Sequence, residues 1–130
     1  MAKMAWREAN QARWVGVRPA HNGTIFSAYN AVANATAIVF TVPAGNTAYL
    51  FYLDAHAVHT NAEDSCTIWI RDTADVLWAY LATTYQSAAG SFHWAVSFPF
   101  PIEIPAGYDI CITSNAPSAN IRCVLWGWLE

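Results

Sequence analysis

Apolar and polar residues alternate with a period of two over most of the chain. Across residues 47–58 the alternation sends Tyr49, Phe51, Leu53 and Ala55 to one face, and Leu50, Tyr52, Asp54 and His56 to the other. Residues 65–71 split Cys66, Ile68 and Ile70 from Thr67, Trp69 and Arg71. Residues 76–83 split Leu77, Ala79 and Leu81 from Val76, Trp78 and Tyr80. Residues 91–98 place Phe92, Trp94, Val96 and Phe98 opposite His93, Ala95 and Ser97. These runs are rich in β-branched and aromatic side chains, which suit a pleated sheet. Turn chemistry separates them: Asn22-Gly23, Pro43-Ala44-Gly45-Asn46, residues 61–64, Ala89-Gly90, Pro105-Ala106-Gly107 and residues 115–118. The pattern predicts strands near 24–30, 36–42, 47–58, 65–71, 76–83, 91–98, 101–104, 108–114 and 120–128.

Eight or nine evenly spaced strands imply an all-β fold, and a jelly-roll-like antiparallel β-sandwich of about eight strands is the natural closure. Its expected core is Tyr49, Phe51 and Leu53, with Ile68 and Ile70, Leu77 and Leu81, the apolar face of 92–98, and Ile110 and Ile112. The Val-Pro-Ala-Gly of 42–45 is echoed by the Ile-Pro-Ala-Gly of 104–107, and each precedes a strand. Residues 23–130 therefore read as one jelly-roll domain and residues 1–22 as an N-terminal arm, with a short helix or an extended segment both open for 4–14.

Charge divides the chain at the same place. Only 12% of residues are charged. Residues 1–18 carry Lys3, Arg7, Arg13 and Arg18 against Glu8, a balance of +3, while the remainder stands at −6. A basic arm bearing Trp6 and Trp14 suits docking on an acidic or apolar partner surface. Nucleic acid is not an expected partner, because the body lacks a basic stripe. No run reaches the roughly 18 apolar residues that a membrane helix needs. The opening residues lack the apolar stretch of a signal peptide, which points to a reducing cytoplasm.

Four pieces, in order, carry a resemblance. They are a Val-Pro-Ala-Gly turn opening a long strand (TVPAGNTAYLFYLDAHAV), a central CTIWIRD strand, the crossover SFPFPIEIPAGYD, and a last strand ending in an aromatic pair (IRCVLWGW). Together they span about residues 38–128, and they resemble small jelly-roll proteins encoded among the structural genes of phages and prophages. The resemblance implies a virion structural protein, a capsid decoration or tail accessory assembled in the host cytoplasm. Such a protein acts by self-association and by docking to other virion proteins, without enzymatic activity or cofactor.

Other chemistries fit the residues less well. His56, His59 and Glu63 bring to mind a cupin-like metalloenzyme, but the His-x-x-His spacing sends the two rings to opposite faces of a strand. The position three after Gly107 is Ile110 rather than histidine. Asp54 and His56 share a face, yet no nucleophile stands in a recognisable context. Cys111 and Cys123 could face each other if their strands formed a hairpin; otherwise they are buried thiols. The seven tryptophans exceed what one sandwich core holds. Trp69, Trp78, Trp126 and Trp128 are expected at subunit contacts within a homo-oligomeric ring, a trimer being one such closure. Lys3, Trp6, Arg7, Arg13, Trp14 and Arg18 are expected to form the docking arm. A carbohydrate-binding or receptor-binding lectin-like module is the alternative; it calls for an open aromatic groove with polar neighbours.

Overall fold

A computed structural model describes residues 23–61, 64–85 and 89–130. Eight strands cover them: β1 Thr24–Ala33, β2 Thr36–Thr41, β3 Ala48–His59, β4 Ser65–Arg71, β5 Leu77–Tyr85, β6 Gly90–Ile104, β7 Asp109–Ser114 and β8 Ala119–Leu129. They form two antiparallel four-stranded sheets, ordered β1-β8-β3-β6 and β2-β7-β4-β5. Every connection except β4–β5 passes from one sheet to the other, which is the jelly-roll path. The predicted arm and the 4–14 segment lie outside the described residues, as does Glu63.

The two Pro-Ala-Gly echoes are structurally equivalent turns. Gly45 and Gly107 have φ of 80° and 82°. The amides of Asn46 and Tyr108 donate back to the carbonyls of Pro43 and Pro105. A positive φ at the third residue is what a type II turn requires, and glycine supplies it without strain. The turns lie side by side: the Gly107 amide donates to the Val42 carbonyl and the Val42 amide to the Tyr108 carbonyl, both at 2.9 Å. These bonds extend the β2–β7 ladder beyond Thr41 and Asp109 and tie the exit of β2 to the entry of β7.

The core lies between the sheets. Ile68 and Ile70 from β4, Ile110 and Ile112 from β7, and Ile121 and Leu125 from β8 are fully buried there. Each such side chain contributes roughly 1.5–3 kcal/mol by leaving water. Three expectations need correction, and bulges explain two of them. In β3 the pairing with β8 jumps from Leu50 opposite Gly127 to Tyr52 opposite Trp126, so Phe51 is an extra residue. Alternation restarts there: Ala48 and Leu50 point inward before it, Leu53, Ala55 and Ala57 after it. Tyr49 and Phe51 accordingly belong to the outer side and Leu50 to the core. In β5, two register shifts against β4 leave Leu77 opposite the outward Arg71, so Leu77 is exposed while Leu81 stays at the core edge.

The third correction concerns the strands expected at 91–98 and 101–104, which are one strand, β6. Its pairing with β3 jumps from Ser97 opposite Tyr52 to Ile102 opposite Leu50. Pro99 and Pro101 sit in that interruption. The strand continues through them because β6 ends its sheet, where a missing amide leaves no ladder bond unmade.

Candidate assembly and binding surfaces

The four tryptophans expected at subunit contacts have different environments. Trp69 stands on the outer face of the β2-β7-β4-β5 sheet, half-buried, with its indole N–H donating to Thr113 Oγ1 at 2.8 Å. Trp78 is 45% exposed and meets the Tyr108 ring edge-on, at 5.4 Å between centroids. Trp126 is 37% exposed beside Tyr52, at 5.3 Å. Trp128 is covered within its own chain and retains 5% of its surface. Tyr49 stacks on it at 5.1 Å, Phe51 tilts against it at 5.8 Å, and a Cβ at Gly23 would collide with its ring. The bulge that turns Tyr49 and Phe51 outward is what covers Trp128, so Trp128 is removed from the expected contact set. Lys3, Trp6, Arg7, Arg13, Trp14 and Arg18 lie outside the described residues.

Two apolar surfaces result. Among the described residues, ten large hydrophobic side chains are exposed, and six of them lie at two strands: Val76, Leu77, Trp78 and Tyr80 at β5, Val96 and Phe100 on β6. β5 and β6 each end their sheet, on the side away from the packed β1–β2 pair. Val96 sits opposite the buried Leu53, on the inward side of β6, yet remains exposed because little of β5 reaches over it. Phe100, between its two prolines, is 85% exposed. Sequence alternation alone puts Leu77 and Val96 in the core, and both are exposed. The available hint of an edge was the pair Pro99 and Pro101.

The second surface is the outer face of the β1-β8-β3-β6 sheet. The register places Ser27, Trp126, Tyr52 and Ser97 in one row across it. Tyr29, Val124, Asp54 and Ala95 form the next row, and Ala31, Arg122, His56 and His93 the one after. Asp54 Oδ1 lies 2.7 Å from His93 Nε2, and an Arg122 Nη2 donor lies 3.2 Å from His56 Nδ1. A depression of about 410 Å³ is lined by Phe51, Tyr52, Ser97 and Trp126. A second, of about 340 Å³, is lined by Tyr29, His56, Asn120 and Arg122 among others. Strand alternation is enough to put Asp54 and His56 on one face, whereas His93 and Arg122 come alongside only through long-range pairing.

His56 and His59 do fall on opposite faces. His59 is buried, with Nε2 at 2.9 Å from Thr84 Oγ1 and its ring edge-on to Phe92. Cys66, Cys111 and Cys123 are free, buried thiols. Cys111 and Cys123 cannot oppose each other, because β7 and β8 belong to different sheets: Cys111 lies opposite Trp69, Cys123 opposite Ala55. Burial pushes the Cys66 and Cys111 thiols up to about 11 and Cys123 to about 12. All three should resist a disulfide reagent at pH 8 in the native protein and react in denaturant, measured by thiol titration. Their folded-state pKa is raised, so the stability they confer is complete below the unfolded thiol value. It should fall as pH rises from there through 11–12.

No protein-family model matches the chain, and no curated protein matches its sequence. Similar solved structures include a chain of the cyanophage Pam1 capsid asymmetric unit, 15% identical with a TM-score of 0.46, covering 86% of this chain and 91% of that one. Another is a pentameric capsid protein isolated from metagenomic phage sequences, 15% identical with a TM-score of 0.41, covering 80% of this chain and 60% of the other. A protein of the Bacillus endospore appendages, described as disulfide-linked pili, is 13% identical with a TM-score of 0.40, covering 82% and 89%.

Proposed function

We propose that this chain is a structural protein of a phage-type particle, acting by self-association and docking rather than by catalysis. The jelly-roll path and the ordered motifs of residues 38–128 support a virion component. The observation that carries self-association is the exposure of large apolar side chains on the two edge strands, Val76, Leu77, Trp78 and Tyr80 at β5 and Val96 and Phe100 on β6. A soluble monomer rarely leaves large apolar side chains at four of five successive positions of an edge, as at 76–80, and covering them with a second copy removes them from water. Repetition of one such contact around an axis closes a ring, and a trimer is one solution. The basic arm, with Trp6 and Trp14, then serves to dock the ring on other virion proteins. On this reading the protein works in the virion, as a capsid decoration or tail accessory.

Light scattering at micromolar concentration tests the reading. The full chain is expected to run as a closed oligomer. Trp78→Ser combined with Tyr80→Ser, at exposed positions, should shift it to monomer without loss of its β-sheet spectrum. Removing residues 1–18 should leave a folded domain that assembles poorly. A stable monomer of the unaltered chain, or oligomers indifferent to both edge substitutions, would sink the proposal.

A further inference from the structure

We infer that the outer face of the β1-β8-β3-β6 sheet is a binding site for an acidic oligosaccharide. The site uses the outward side chains of β6, His93 and Ser97, and none of the apolar residues assigned to assembly, so this inference and the assembly reading can fail independently. Sugar recognition combines flat aromatic surface for the apolar ring faces with fixed polar groups for the hydroxyls. Here Trp126 offers the ring face, with Tyr52 tilted 53° against it, and Ser27 and Ser97 flank the pair in the same row. Tyr29, 61% exposed on β1, adds a second ring one row along. The next row supplies hydrogen-bonding groups already held by partners: His93 by Asp54, and His56 by Arg122.

Charge selects the acidic class. Asp54 is engaged by His93, whereas Arg122 spends one of its nitrogens on His56 and keeps other donors facing water. A planar guanidinium beside an imidazole is suited to a sugar carboxylate, which it can grip with two parallel hydrogen bonds. Spacing suits more than one sugar ring: Trp126 and Arg122 are four residues apart on β8, about 13 Å at the usual strand rise. The two depressions, about 410 Å³ around Trp126 and about 340 Å³ around Arg122, lie one beyond the other along this line. An oligosaccharide would lie along β8, one ring on Trp126 and its acid group at Arg122.

Titration calorimetry with the full chain tests this, using sialyllactose and trigalacturonate as acidic probes and maltotriose as the neutral one. At least one acidic probe is expected to bind saturably, and maltotriose about tenfold more weakly or not at all. Trp126→Ala and Arg122→Ala, both at exposed positions, should each weaken acidic binding about tenfold or more, while Ile38→Ala, exposed on β2 of the other sheet, leaves it unchanged. Failure of both acidic probes, equal binding of maltotriose, or binding indifferent to both substitutions would overturn the inference. So would binding that emerges only when residues 1–22 are removed, since the face would then be the seat of the chain's own arm.

Discussion

Leu125→Ala is expected to lower the unfolding free energy by about 3–4 kcal/mol, near the middle of the range for leucine truncation in a closed core. Leu125 is fully buried, on the central strand β8, between Ala28 of β1 and Leu53 of β3. Both neighbours belong to long ladders, so neither strand can close over the space without breaking backbone hydrogen bonds. Alanine at 28 is also too small to fill the gap. A domain of this size is stable by roughly 5–15 kcal/mol, so the loss is a large fraction of the whole. Urea unfolding should show a lower midpoint with an unchanged slope. A change below about 1 kcal/mol would mean that β8 is not the centre of the sandwich.

Gly127→Ala is expected to cost about 2–3 kcal/mol, although the same change usually helps a chain by restricting its unfolded state by about 0.4–1 kcal/mol. A Cβ at Gly127 would lie 2.5 Å from the Tyr49 carbonyl oxygen and 2.6 Å from the Phe26 ring. The carbonyl is backbone and cannot turn aside. The Phe26 ring is held from its other side by Phe40, stacked at 4.1 Å. Relief requires β8 to move from β3 at the point where the Phe51 bulge already interrupts their pairing. Chemical denaturation measures the loss, and Phe26→Leu in the Gly127→Ala background should recover part of it. A neutral Gly127→Ala would mean that the close approach of β8 to β3 is not a feature of the folded protein.

Much of the fold was legible because its signals are local. The bounds of most strands follow from runs of alternation between turn residues, and the paired Pro-Ala-Gly turns follow from glycine at a positive φ. Where those signals misled, the cause was a partner strand. Alternation carried from Tyr49 through Leu53 assumes an unbroken ladder, and the extra residue at Phe51 exchanges the two faces. Leu77 looked inward until the shifts between β4 and β5 turned it out. Residues 91–98 and 101–104 looked like two strands because proline usually ends one; an edge position removes that penalty.

The surfaces divide along the same line. An excess of tryptophan over core capacity is a property of composition, and the sequence alone was enough to say that some indoles must find cover outside a simple core. Which ones do was decided by contacts between residues far apart in the chain. Trp128 is covered by Tyr49, Phe51 and the space that Gly23 leaves open, while Trp126, two residues away on the same face, has Ser27 and Ser97 for neighbours and stays open. Likewise Asp54 and His56 could be placed on one face from spacing, but His93 and Arg122 join them only through β6 and β8. Backbone geometry gives each strand two faces wherever it lies; which face is covered, and by what, depends on strands brought alongside from elsewhere in the chain.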